Sequence, residues 1–263
     1  MVPSSWVIAR AGKAHAGSDA ASPSRRLGPP LMPSPGRFVA AMVPFFAAVL
    51  WLDRYVDRRG QLLLGVATWL VLLLAVRALP TERRAQVAIV VVAATCAELI
   101  GSILWGVYSY RLGNLPTFVP PGHGLVYLTG LSLSRVVPGR ERALVGVALA
   151  GALGWGLAGL TVLPRLDVAG AIGVPLLCVF LWRSGSRGVY AGVFLAVAAL
   201  ELYGTAVGTW QWHATLPGLG IPDGNPPSGA ASGYVCFDVV ALTLTPWVLA
   251  RLRRTNRACG VTV

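Results

Sequence analysis

The chain is poor in charge. Only 12% of its 263 residues are charged, its acids number ten, and Lys13 is its one lysine. A water-soluble domain carries roughly 25% charged residues, so an ordinary soluble enzyme is excluded. Cysteine is also scarce. Cys96, Cys178, Cys236 and Cys259 follow no CxxC spacing, and three of them lie inside apolar runs, so they read as small hydrophobes and not as a disulfide framework or zinc site. The chain also lacks a nucleotide-binding loop, a GxSxG nucleophile and an HExxH pair, so neither a cofactor nor a metal is expected.

Apolar sequence is abundant. Hydrophobic residues make up 55% of the chain and the mean hydropathy is +0.66. A membrane-crossing helix needs roughly 20 mainly apolar residues. Such stretches follow one another after residue 36 at 37–52, 61–79, 86–108, 122–137, 143–163, 168–182, 189–210 and 229–250. The expected fold is therefore all-α, a polytopic transmembrane bundle of about eight helices. The first stretch is short. The fourth, opening at Gly122-His123-Gly124, is open to reading as a re-entrant segment.

Residues 1–36 are rich in Ala, Ser, Pro and Gly, with no apolar run long enough for a signal peptide, and read as a disordered basic leader. Met32 just ahead of the first apolar run is a possible start as well as Met1. The stretch 251–263 reads as a basic tail.

The net charge of +12 does not form the single basic stripe that nucleic acid requires. The basic residues sit instead between apolar runs. With eight crossings, 17 of the 22 fall on the side that holds both termini, which predicts cytoplasmic termini and residence in the inner or plasma membrane.

Two segments about 103 residues apart resemble each other. One runs Glu98-x-x-Gly101, Gly106, Tyr108-x-Tyr110, Pro120-Pro121. The other runs Glu201-x-x-Gly204, Gly208, Trp210-x-Trp212, Pro226-Pro227. They predict two parallel four-helix repeats, 37–137 and 138–250, related by an axis along the membrane normal. At helical spacing, Glu98, Gly101 and Trp105 share a face, as do Glu201, Gly204 and Gly208. The glycines are expected to let helices approach closely, and the Pro-Pro pairs to form loops ahead of the next helix.

Only three acids fall inside the spans: Glu98, Glu201 and Asp238. An ionisable group at membrane depth is a functional-site hypothesis; its plain alternative is a structural carboxyl bonded to neighbouring helices. Glu98 and Glu201 are candidate acid and base, with Asp238 an orienting or second acid four residues after Tyr234. Tyr108, Tyr110, Trp210 and Trp212 read either as an interfacial aromatic belt or as π-faces that stabilise a carbocation beside the acids. His123 and His213 are expected near the same membrane face and, with the two glutamates, are the one set able to hold a metal; histidines bonded to water or backbone are commoner there. Asn225 belongs to a rigid Asn-Pro-Pro-Ser-Gly loop with Ser228 a plausible N-cap.

The run Glu98-x-x-Gly101, Gly106-x-Tyr108-x-Tyr110, Leu112-Gly113 and Val119-Pro120 resembles integral membrane hydratases of carotenoid biosynthesis. It covers about 25 residues. Leu104-Trp105 replace a Pro-Phe pair usual in that family, and His123-Gly124-Leu125 replace its apolar continuation. The resemblance implies acid/base chemistry on an isoprenoid- or carotenoid-like lipid. The binding partner expected is a membrane lipid or another apolar small molecule. Two other readings stand beside it, a small-solute, ion or proton-coupled transporter and a non-catalytic subunit of a membrane complex.

Overall fold

The computed structural model describes residues 34–136 and 139–258, without side chains for 256–258. The leader expected over 1–36 lies almost wholly outside these residues, as do Met32 and the last part of the basic tail.

Each of the eight expected spans contains a helix. They are α1 (Pro35–Asp53), α2 (Arg58–Arg77), α3 (Thr81–Glu98), α4 (Val119–Val136), α5 (Glu141–Thr161), α6 (Val168–Arg183), α7 (Arg187–Val207), and a last rod made of α8 (Ser228–Gly233) and α9 (Val235–Ala258). Among the described residues, six helical stretches are long and apolar enough to cross a membrane: Pro35–Asp53, Arg58–Arg77, Thr81–Trp105, Glu141–Thr161, Arg187–Val207 and Ser228–Thr255. The chain is an all-α bundle of membrane type. Its outer surface confirms the solvent, because side chains such as Leu63 and Trp182 are 71% and 78% exposed. Water would penalise so broad an apolar exterior, whereas lipid does not.

Because lipid provides no hydrophobic drive between helices, small residues and close packing hold them together. Along α5 the buried residues are Ala148, Ala152, Gly156 and Gly159, a small-residue stripe at helical spacing that lets α6 approach. At the α4–α7 crossing, the helix pair in most extensive contact, a Cβ on Gly192 would run into the carbonyl of Gly130. The two backbones touch there, and only glycine fits at either position.

The fourth span is one continuous helix and the hub of the bundle, with eleven of its 18 residues buried. It begins at Val119, so Pro120 and Pro121 belong to its first turn and not to a loop. Proline suits that place, since a first-turn N–H has no intrahelical acceptor.

The helices carrying the two glutamates end alike. After Glu98, α3 continues as a π-helical segment, Leu99–Trp105. That winding is wider than the α-helical spacing from which a shared face was expected, yet Glu98, Gly101 and Trp105 all border one cavity. Gly106 then takes the left-handed conformation at φ 74°, as Gly208 does after α7 at φ 80°. Glycine does this without the Cβ clash other residues suffer. The chain turns into two short strands, β1 (Tyr108–Tyr110) and β2 (Trp210–Trp212). They pair antiparallel with Tyr108 opposite Trp212, Ser109 opposite Gln211 and Tyr110 opposite Trp210. Two backbone bonds flank the pair, Arg111 N–H to Thr209 O at 2.9 Å and His213 N–H to Val107 O at 3.0 Å.

Candidate active site

The β1–β2 pair places four aromatic rings beside the ends of α3 and α7. Their donors converge on the two glutamates. Tyr108 and Tyr110 hydroxyls both donate to Oε2 of Glu98, at 2.5 and 2.7 Å. The indole N–H groups of Trp210 and Trp212 both donate to Oε2 of Glu201, at 2.9 and 3.2 Å. Each Glu and its following aromatic-x-aromatic pair thus form a closed local unit, and the pairing interleaves them: the Tyr108 and Trp212 rings lie 4.5 Å apart. Burial, together with the neighbouring Glu98 carboxylate, holds the Tyr108 and Tyr110 phenols protonated far above their usual range.

Gly101 and Gly204 have a different role from the one their spacing suggests. A Cβ on Gly101 would lie 3.1 Å from Cε1 of Tyr108, and one on Gly204 would fall inside the Trp210 indole. These glycines make room for the first ring of their own strand and do not serve helix–helix approach.

His123, on α4, completes the cluster. Its Nε2 stands 3.4 Å from Oε1 of Glu98, and its Nδ1 shares a 2.6 Å hydrogen bond with the Tyr234 hydroxyl, at the break between α8 and α9. His123 is only 8% exposed, yet Nε2 has no hydrogen bond of acceptable geometry among the described residues.

All eight of these residues line one cavity of about 460 Å³, whose remaining wall is mostly apolar and includes Phe45, Phe46, Phe118 and Phe237. A volume of this size suits a small molecule or one end of a longer one. The sequence reading missed the α1 wall. The adjacent Phe45-Phe46 pair was its only signal, and such a pair in an apolar run is ordinarily lipid-facing.

Three candidates fall elsewhere. Asp238 is fully buried but does not line the cavity, and neither carboxylate oxygen has a hydrogen-bond partner among the described residues. His213 is exposed outside the cavity, so the set of two histidines and two glutamates is not assembled. Asn225 acts structurally, accepting the Trp212 backbone N–H at 3.0 Å and so fixing β2.

Further support comes from two residues that the sequence did not single out. Arg165 donates to the carbonyls of Trp212, at 2.9 Å, and His213, tying β2 to the α5–α6 connection. Asp167, 1% exposed, caps α6 through Gly170 N–H and also accepts from Gly224 N–H, Ser228 N–H and the Ser228 hydroxyl. Ser228 is therefore not the N-cap expected of it. It is the first residue of α8, and its hydroxyl is held by Asp167. An Asp immediately before an apolar run is a readable cap signal; its reach to residues 224–228 is a tertiary contact that no local pattern reveals.

What this arrangement defines is a polytopic helical membrane protein with a mainly apolar cavity into which two carboxyls project. No family model, curated protein or solved structure matches the chain.

Proposed function

We propose that the chain is an intramembrane enzyme performing acid/base chemistry on an isoprenoid- or carotenoid-like lipid, most simply adding water to, or removing it from, a carbon–carbon double bond. The observation that carries this reading is the facing of two glutamates, each held by two aromatic donors, into one 460 Å³ cavity with phenylalanine walls. Protonating an alkene requires a positioned acid in a dry site, and the cation formed requires negative charge and π-faces close by. The substrate is apolar because the cavity offers it little else. A transporter would need polar groups leading away from the site on both sides, and beyond the two glutamates, His123 and their ring partners the cavity wall is apolar except for Thr68.

The resemblance of residues 98–122 to carotenoid hydratases supports the same chemistry. The matched ends of α3 and α7, and the centred pairing of Tyr108 with Trp212 and Tyr110 with Trp210, support an origin in two parallel four-helix repeats. The arginine bias supports an inner-membrane location with both termini in the cytoplasm.

The test is to replace Glu98 or Glu201 by Gln in cells that make isoprenoid pigments and to compare their lipid and pigment profiles with the parent. Loss of a positioned acid or base reduces turnover by about 10²–10⁴-fold, so one product should vanish and its precursor accumulate while the protein remains in the membrane. Unchanged profiles in both variants, and in a deletion strain, would sink the reading.

A further inference from the structure

The two glutamate units are alike in plan but differ in what surrounds them. Two phenols donate to Oε2 of Glu98, and its Oε1 faces His123 Nε2 at 3.4 Å without an aligned hydrogen bond. Glu201 receives both of its donors on Oε2, and no donor among the described residues reaches Oε1. In the second copy the place of His123, two residues after the Pro-Pro pair, falls to Gly229. Only one of the two units therefore has an imidazole.

That imidazole has an unmet bond. Buried ring nitrogens are almost always hydrogen-bonded, yet Nε2 of His123 lies at the cavity wall, 8% exposed, with no aligned partner. Its other nitrogen is fixed by Tyr234. With Nδ1–H donated to the Tyr234 hydroxyl, Nε2 presents a lone pair toward the cavity beside Oε1 of Glu98, and a small hydroxylic molecule is the ligand that both acceptors would take.

Resting on the hydration reading above, we propose that His123 Nε2 and Glu98 Oε1 bind and deprotonate the water that adds to the substrate, that Glu201 Oε1 delivers the proton, and that Tyr234 is a positioning residue acting through His123. The step balances without any redox partner. The alkene π pair takes the proton from Glu201 Oε1 at one carbon. The cation left at the other carbon is attacked by the water oxygen, and the proton this oxygen sheds goes to His123 Nε2. Return of that proton to Glu201 through cavity water restores both groups, and the net change is one water added. The Glu98 carboxylate and the tyrosine and tryptophan faces stabilise the cation in between.

The test uses the full-length protein in liposomes with lycopene, an acyclic carotenoid ending in trisubstituted double bonds, in D₂O and separately in H₂¹⁸O. Alcohol carrying ¹⁸O reports water addition, and deuterium at the alkene carbon reports proton delivery, which Glu201 alone can reverse. H123Q should lose the alcohol by about 10²-fold or more yet retain deuterium exchange. H123A should regain alcohol formation when imidazole is added. E201Q should lose both signals. Y234F should lower kcat for the alcohol and shift the basic group in its pH profile while leaving KM unchanged. Alcohol formation in H123Q within twofold of wild type, or deuterium exchange surviving in E201Q, would overturn this assignment while leaving the enzyme reading intact. Absence of both signals in wild type would overturn the two together.

Discussion

Gly204 lies against the six-membered ring of the Trp210 indole, so that a Cβ added to Gly204 would overlap the ring. The indole can donate to Glu201 only because residue 204 has no side chain. Gly204→Ala should therefore push Trp210 off its acceptor. Overpacking of this kind costs about 1–3 kcal/mol, and the bond at 2.9 Å is lost with it. Gly101→Ala meets Tyr108 at 3.1 Å, at the ring edge, and should cost under about 1 kcal/mol. Thermal unfolding in detergent, read by tryptophan emission, separates the two. Equal effects would mean that the Gly204 contact does not hold Trp210.

This glycine shows how far the sequence could be read. The helices were legible because lipid imposes one simple demand, a long apolar stretch, and each of α1 to α9 overlaps such a stretch. The Glu-x-x-Gly and aromatic-x-aromatic elements were legible as a repeated pattern. Their purpose was not, because α-helical spacing put Gly101 and Gly204 at a helix interface, whereas the chain reverses at Gly106 and Gly208 and folds its own rings back onto them. The π-helical segment Leu99–Trp105 likewise follows from tertiary fit, which no periodicity encodes. Asp238 stood out as an acid in an apolar run. Only the packing of α9 decides that it points away from the cavity.

Asp167 supports the loop that carries Asn225 toward β2. Its two oxygens accept from three backbone N–H groups and one hydroxyl, all buried. Asp167→Asn replaces one acceptor oxygen by a donor and leaves buried N–H groups facing it, at a cost of about 1–3 kcal/mol for each group left unsatisfied. Ser228→Ala removes a single bond and should cost about 0.5–1.5 kcal/mol. Hydrogen exchange should rise across residues 223–228 in D167N and only slightly in S228A. Unchanged exchange in D167N would show that the loop is held by other contacts.

Asp223 gives that same loop a pH dependence. Its carboxyl is pushed up to about 6 from an ordinary 3.8, by burial first and by the neighbouring Asp167 carboxylate second, with Arg165 opposing. A carboxyl raised in the folded state favours the fold while it is protonated. Its contribution is full below about pH 4 and is lost as pH rises through about 6. Asp223→Asn should therefore flatten the fall in stability over that window and leave the variant at least as stable as wild type at neutral pH. Melting curves at pH 4.5 and 7.5 test the sign, and a variant that loses stability only at the higher pH would contradict it.

Asp238 is the acid most easily mistaken for a catalyst. It is 0% exposed, both its oxygens lack hydrogen bonds, and it contributes nothing to the cavity wall. A carboxyl that cannot reach the substrate cannot protonate it, whatever its depth in the membrane. Removing an unpartnered buried acid relieves a desolvation cost. Asp238→Asn should accordingly keep product formation within a few-fold of wild type and a melting temperature equal or higher, under conditions where Glu201→Gln abolishes product. Should D238N lose activity as completely as E201Q while remaining folded, the chemistry must extend through α9, and the cavity between α3, α4 and α7 would be only its entrance.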